Sequence, residues 1–185
     1  MLIRILAFLL ETIFFLVIAA ALLRGWMNWL RVNMTAQPGS FVMALTNWLV
    51  KPLRRTLPRS LAQSRVDWAS VLAAVALALV YAVVWGLLFG VLLGAVYGAP
   101  AALLTVLALA LKMLVRVLLQ TLFVLVMGYA ILSWVQPGSP AHVLLGRLTE
   151  PLLRPLRRVV PVIGGVDLSA LVLLLLLQIG LMVLG

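Results

Sequence analysis

Few side chains in this sequence are of a type that could do chemistry. Glu11 stands inside an otherwise apolar N-terminal run, and Arg116 and Gln120 stand inside another. An ionisable group in hydrocarbon needs a partner or a polar path, because burying it alone is costly. A hydrolytic or transfer reaction needs a nucleophile, a base and an orienting group together, and the single histidine, His142, has no identifiable partner for such a set. The chain has no cysteine, which excludes disulfides, zinc-thiolate sites and covalent haem attachment. One histidine and seven scattered methionines are a poor ligand set for haem iron, and His142, beside "PGSPA", reads as a solvent-facing loop residue. The expectation is a protein that is not an enzyme and that has no catalytic, cofactor-binding or metal site.

The surrounding composition sets the class. Hydrophobic residues make up 66% of the chain and charged ones 10%, more apolar surface than a 185-residue soluble domain can hide. The chain therefore reads as an all-α integral membrane protein. With about 20 apolar residues needed per crossing, four spans are predicted at about 5–26, 69–93, 113–134 and 168–185. The N-terminal stretch could also pass for a signal peptide, but its length and Glu11 favour a retained span.

The chain repeats itself. At an offset of 108, Arg4, Phe15 and Trp26 fall on Lys112, Phe123 and Trp134; at 103, "LTNWLVKPLRRTLP" falls on "LTEPLLRPLRRVVP"; at 100, Asp67 falls on Asp167. Each unit reads as a basic residue, a span ending in Trp, a Pro-Leu-Arg-Arg segment, an aspartate and a second span. This predicts two parallel repeats, residues 1–100 and 101–185. Through the repeat Glu11 aligns with Leu119, beside Gln120, with Arg116 about 5 Å away in depth. Glu11, Arg116 and Gln120 thus form a candidate intramembrane polar cluster, either a structural ion pair or an ion or proton site.

Four parallel-repeat spans place Arg24, Arg31, Lys51, Arg54, Arg55, Arg59, Arg65, Arg147, Arg154, Arg157 and Arg158 on one face, and leave Arg4, Lys112 and Arg116 for the other. By the positive-inside rule the basic loops are cytoplasmic and both termini lie outside. A rival reading makes 69–91 and 95–111 separate spans turning at "GAVYGAP"; it gives a weaker charge split. In the four-span reading the surplus apolar stretch 94–111 becomes a long helix end, an interfacial helix or a re-entrant turn.

Within the doubled segments, Leu45, Trp48, Leu49 and Leu53, and again Leu148, Leu152 and Leu156, recur at helical spacing, with Arg147, Arg154 and Arg158 on another side. This predicts short amphipathic helical pieces in the headgroup layer, kinked at Pro52 and Pro155, with Pro151 in a first helical turn behind Thr149 or Glu150 and with Pro58 and Pro161 as stops. Arg54, Arg55, Arg154, Arg157 and Arg158 become the candidate lipid- or partner-binding residues, facing anionic headgroups or a membrane or cytoplasmic protein; no specific nucleic acid is expected. Asp67 and Asp167 read as caps of the helices that follow them. Gly86, Gly90 and Gly94 form a small-residue stripe suited to internal packing or to a homo-oligomer contact.

The second unit, with Pro151, Pro155, Arg157, Arg158, Pro161, Gly164, Gly165, Asp167 and Ser169, resembles the YggT family, also called the YlmG family, of small bacterial and plastid membrane proteins. The first unit is a looser copy, with Asn47 and Trp48 where the second has Glu150 and Pro151, and "RSLAQSRVD" where it has "VIGGVD". The resemblance implies roles in osmotic-stress tolerance and ion homeostasis, in placement of septum or nucleoid during cell division, or, among plastid relatives, in assembly of a membrane cytochrome complex. Two readings stand: an organising or assembly factor that works through its basic cytoplasmic face, and a channel-like or transport-associated protein centred on Glu11, Arg116 and Gln120.

Overall fold

Long uncharged runs with little glycine or proline can satisfy their backbone within a single segment in hydrocarbon only as helices, and they fold as helices. The computed structural model describes residues 1–34, 38–58, 66–90, 99–160 and 167–185. Among these there are six α-helices and no strand: α1 (Leu2–Trp29), α2 (Gly39–Thr56), α3 (Trp68–Trp85, continued by a π-helical segment Gly86–Gly90), α4 (Ala99–Val135), α5 (Pro140–Leu156) and α6 (Leu168–Leu184). Among the described residues three stretches are long and apolar enough to cross a membrane, Leu2–Trp29, Trp68–Phe89 and Leu103–Val135; α6 is a shorter apolar helix.

α4 decides the fate of the surplus apolar stretch. Residues 99–111 are the N-terminal part of one 37-residue helix rather than a separate span, an interfacial helix or a re-entrant turn. No Gly or Pro lies between 101 and 127 to break it, and the helix runs through Lys112 without interruption. The turn at "GAVYGAP" lies, from Gly94 to Gly98, outside the described residues, as do Arg59, Arg65, Pro161, Gly164 and Gly165.

The chain forms two compact units, Met1–Val117 and Leu118–Gly185, which divide within α4. In the first, Ala110, Met113 and Val117 of α4 join a core of Ile18, Ala21, Val50, Ala73, Ala74 and Tyr81. In the second, Val126 packs with Leu153, Ala170, Leu173 and Leu177. Helices meet through small residues, which let backbones approach closely where lipid offers no hydrophobic drive. A Cβ on Gly25 would stand 3.7 Å from Ser70 Cβ, and one on Gly128 would stand 3.1 Å from a Leu145 methyl. Of the glycine stripe read from sequence, Gly86 makes no internal close contact, since a Cβ there meets nothing within 4 Å; the π-helical segment disrupts the spacing of four, and Gly94 lies outside the described residues.

The prolines do not divide the basic segments into pieces. Pro52 lies inside α2, and Pro151 and Pro155 inside α5. Pro52 and Pro151 free the carbonyls of Trp48 and Arg147, which are exposed positions where water can satisfy them, while Val50 and Leu153 anchor the helices by full burial. α5 begins at Pro140 rather than near Glu150, because Ser139 caps it by accepting from the His142 N–H at 3.2 Å, with proline at the first helical position. α2 ends where Leu57, forced off the helical region by Pro58, turns extended. α1 closes with a 6→1 bond from Val32 N–H to the Met27 carbonyl around Arg31, at φ 54°.

Candidate functional site

The fourth residue of each Lys/Arg-Pro-Leu-Arg-Arg motif is drawn to the aspartate that precedes the next helix. In the first unit Arg54, on the last turn of α2, donates to Asp67 Oδ2 at 2.7 Å. In the second, Arg157, at the end of α5, donates to Asp167 Oδ2 from Nε at 3.0 Å and from a terminal nitrogen at 2.7 Å. These four residues are equivalent through the repeat, so the same charge-assisted clasp ties each basic helix to the helix after it.

The helices around each clasp supply different neighbours. Arg24 of α1, 6% exposed, donates to Thr46 Oγ1 at 2.8 Å and to Asn47 Oδ1 at 3.0 Å, and its Nε lies 3.8 Å from Asp67. In the second unit the residue equivalent to Asn47 is Glu150, which accepts from Arg157 at 2.8 Å; the Tyr129 hydroxyl accepts from the same guanidinium at 2.9 Å. The first cluster has two arginines on one carboxylate, a net +1, and the second has one arginine on two carboxylates, a net −1. Thr46 and Thr149, again equivalent, are both buried and donate to the carbonyl four residues back, Val42 at 2.7 Å and Leu145 at 2.8 Å.

Both aspartates sit at the N-terminal boundary of a helix, but their oxygens are used differently. Asp167 Oδ1 accepts from the Ser169 N–H at 3.1 Å and from the Ser169 hydroxyl, leaving Oδ2 for Arg157. Burial raises the Asp167 pKa, but the hydrogen bonds from Ser169 and Arg157 and the nearby guanidinium outweigh it, holding the carboxyl below its ordinary value. Burial likewise opposes the charge on Arg157, and its bonds to Asp167 reverse that effect and raise its pKa. Asp67 departs from the expected cap. Its side chain makes no bond to the first-turn amides and takes Arg54 and the Ser70 hydroxyl, the latter at 2.9 Å. Two cationic donors within reach outcompete a backbone amide for a carboxylate.

The other residues singled out from sequence fall into place separately. Arg116 donates to Glu11 at 2.9 Å within the first unit; Gln120, one turn farther along α4, belongs to the second unit. Arg55, Arg154 and Arg158 are exposed, and Arg157 is half-buried in its clasp. His142 is not in a loop. It lies in the first turn of α5 with its ring stacked on Tyr129 at 5.2 Å, its Nδ1 accepting from the Gly138 N–H and its Nε2 buried. A small cavity of about 10 Å³ beside Tyr129, Ser133 and Asp167 has room for about one water. Among the described residues no group of histidines and carboxylates is arranged to hold a metal ion.

Sequence reasoning missed the clasps. The available signal was the recurrence of a single aspartate at a similar distance after each Arg-Arg pair, in a chain with only four acids.

A family model described as CCB3/YggT matches the chain twice, over residues 3–88 and 105–185. The chain is 36% identical over 175 residues to the "Uncharacterized protein YggT" of Escherichia coli K12, covering 94% of this chain and 86% of that protein. It is 35% identical over 173 residues to the "Uncharacterized protein in proC 3'region" of Vibrio alginolyticus, covering 93% and 89%. It is 30% identical over 157 residues to an uncharacterised Haemophilus influenzae protein, covering 84% and 78%. No solved structure matches.

Proposed function

The chain belongs to the CCB3/YggT family, and from that premise we propose that it is a non-enzymatic organising or assembly factor of the bacterial inner membrane, working in cell-envelope, division or stress-related processes through a basic cytoplasmic face. One observation carries the reading: in each unit a basic helix is clasped by its own arginine to the helix that follows, Arg54 to Asp67 and Arg157 to Asp167. A clasped helix presents its remaining cations at a fixed attitude within its unit. That suits recognition better than a helix free to roll would. In this reading the two basic helices lie in the headgroup layer, and the charge split between loops supports a cytoplasmic position for them with both termini outside.

In-cell crosslinking tests the proposal, from probes at Thr56 and Val159, both exposed. The expected result is reproducible capture of one protein, lost when Lys51, Arg55, Arg154 and Arg158 become glutamine in a variant whose topology, read from terminal reporter fusions, is unchanged. Capture that survives neutralisation, or its absence from the unmodified chain, overturns the proposal.

The second reading, a transport-associated role in osmotic stress through Glu11, Arg116 and Gln120, draws on the Glu11–Arg116 contact, which puts a charged pair among apolar helices. It requires that Glu11→Gln change growth or ion flux under osmotic load while leaving partner capture intact.

A further inference from the structure

All four acidic side chains of the chain are taken. Glu11 holds Arg116, Asp67 holds Arg54 and Arg24, and Glu150 and Asp167 hold Arg157. A chain with fourteen Lys and Arg against four acids therefore has many cations that no internal carboxylate can neutralise. The unclaimed cations of the doubled motif are not scattered. Lys51 and Arg55 are equivalent to Arg154 and Arg158, and in each pair the residues are four apart. Within α2 that spacing keeps Lys51 and Arg55 on one helical stripe, about 5–6 Å apart at Cβ, while Arg158 lies in the turn that follows α5. All four are exposed and bond to no carboxylate; the arginine between them, Arg54 or Arg157, is directed to its aspartate, Arg54 while still half-exposed.

In the first unit the same stripe continues N-terminally into large apolar side chains. Trp48, at three and seven residues before Lys51 and Arg55, is 63% exposed, and Phe41, seven residues earlier, is 61% exposed. The indole N–H of Trp48 is engaged by the Leu45 carbonyl at 2.8 Å, so the ring offers only its apolar body outward. In the second unit Arg147 and Arg154, seven apart and both exposed, share a stripe of α5. The surface thus joins exposed cations to the exposed apolar bodies of Trp48 and Phe41. The headgroup layer takes both, phosphate against the cations and ring bodies against the acyl boundary.

We propose that the motif divides its labour: its fourth residue (Arg54, Arg157) is the clasp, and its first and fifth (Lys51 with Arg55, Arg154 with Arg158) bind the phosphates of anionic phospholipid headgroups. This rests on the reading of the basic helices as the working face and names what that face holds.

The test uses the purified full chain and measures phospholipid retained through detergent exchange from bilayers of equal phosphatidylglycerol and phosphatidylcholine. The unmodified chain is expected to retain phosphatidylglycerol preferentially. Lys51→Gln, Arg55→Gln, Arg154→Gln and Arg158→Gln together should lower that preference by about tenfold or more, since each surface cation contributes severalfold. Replacing the three arginines by lysine should preserve it. Arg54→Gln with Arg157→Gln, which leaves the stripes intact, should lower thermal stability while keeping the preference. No preference in the unmodified chain, or a preference that survives the fourfold neutralisation, overturns the proposal, as does loss in the clasp variant at a temperature where it remains folded. Lipid preference without protein capture from Thr56 or Val159 would sink the organising role alone; capture without lipid preference would sink this inference alone.

Discussion

Arg157 grips Asp167 with two nitrogens of its guanidinium, at 3.0 and 2.7 Å, and the same arginine reaches Glu150 and the Tyr129 hydroxyl. The pair joins the end of α5 to the start of α6, so its removal should be felt as loss of packing in the second unit.

Arg157→Lys is the sharpest probe of that grip, because an ammonium cannot reproduce the planar fork of donors. It should destabilise the protein by about 1–3 kcal/mol, while Arg158→Lys on the exposed side stays within about 0.5 kcal/mol. Denaturant unfolding in micelles measures both. Equal effects would show that the clasp contributes nothing specific.

Asp67→Asn should cost more than Asp167→Asn. The Asp67 side chain is 4% exposed and that of Arg24 7%, against 15% for Asp167, and losing the acid leaves Arg24 buried without an anion. Breaking a buried pair from one side costs about 3–5 kcal/mol. Arg24→Met in the Asp67→Asn background should recover part of the loss; a double variant worse than the single would contradict this.

The stability difference between the native chain and Asp167→Asn should depend on pH in a set direction. The folded carboxyl titrates below its ordinary value of 3.8, so its contribution is full above the unfolded pKa and is lost as pH falls through the folded one. Unfolding followed from pH 6 downward should show a constant difference to about pH 5 that shrinks below about pH 4. A difference that grows on acidification would reverse the sign.

Glu11→Gln should leave Arg116 uncompensated among apolar helices and destabilise the first unit by about 1–3 kcal/mol. Glu11→Gln with Arg116→Gln should restore most of that, since two neutral amides need less solvation than one lone cation. Unfolding of the single and double variants in one bilayer mimetic decides it.

Gly25→Ala should be neutral or stabilising by up to about 1 kcal/mol, because a Cβ there meets Ser70 at an ordinary 3.7 Å and alanine favours helix. Gly25→Leu should cost about 1–3 kcal/mol by forcing α1 from α3. The pair separates close packing from simple helix propensity.

The membrane class, the helical content and the duplication were legible in the sequence because composition and periodicity are properties of the chain itself. The meeting of Glu11 with Arg116 also showed there, since the repeat set their depths and hydrocarbon forces lone charges to pair. The continuity of α4 through Lys112, the start of α5 at Pro140 behind the Ser139 cap and the survival of both helices around their prolines depended on which competing local signal the packing favoured. The work of Asp67 and Asp167 was decided only by the tertiary structure. Periodicity states which residues share a helical face but not which face turns toward a neighbour. Arg54 and Asp67 are thirteen residues apart and Arg157 and Asp167 ten, so only the return of the chain could bring each guanidinium to its carboxylate and leave Arg55 and Arg158 turned outward.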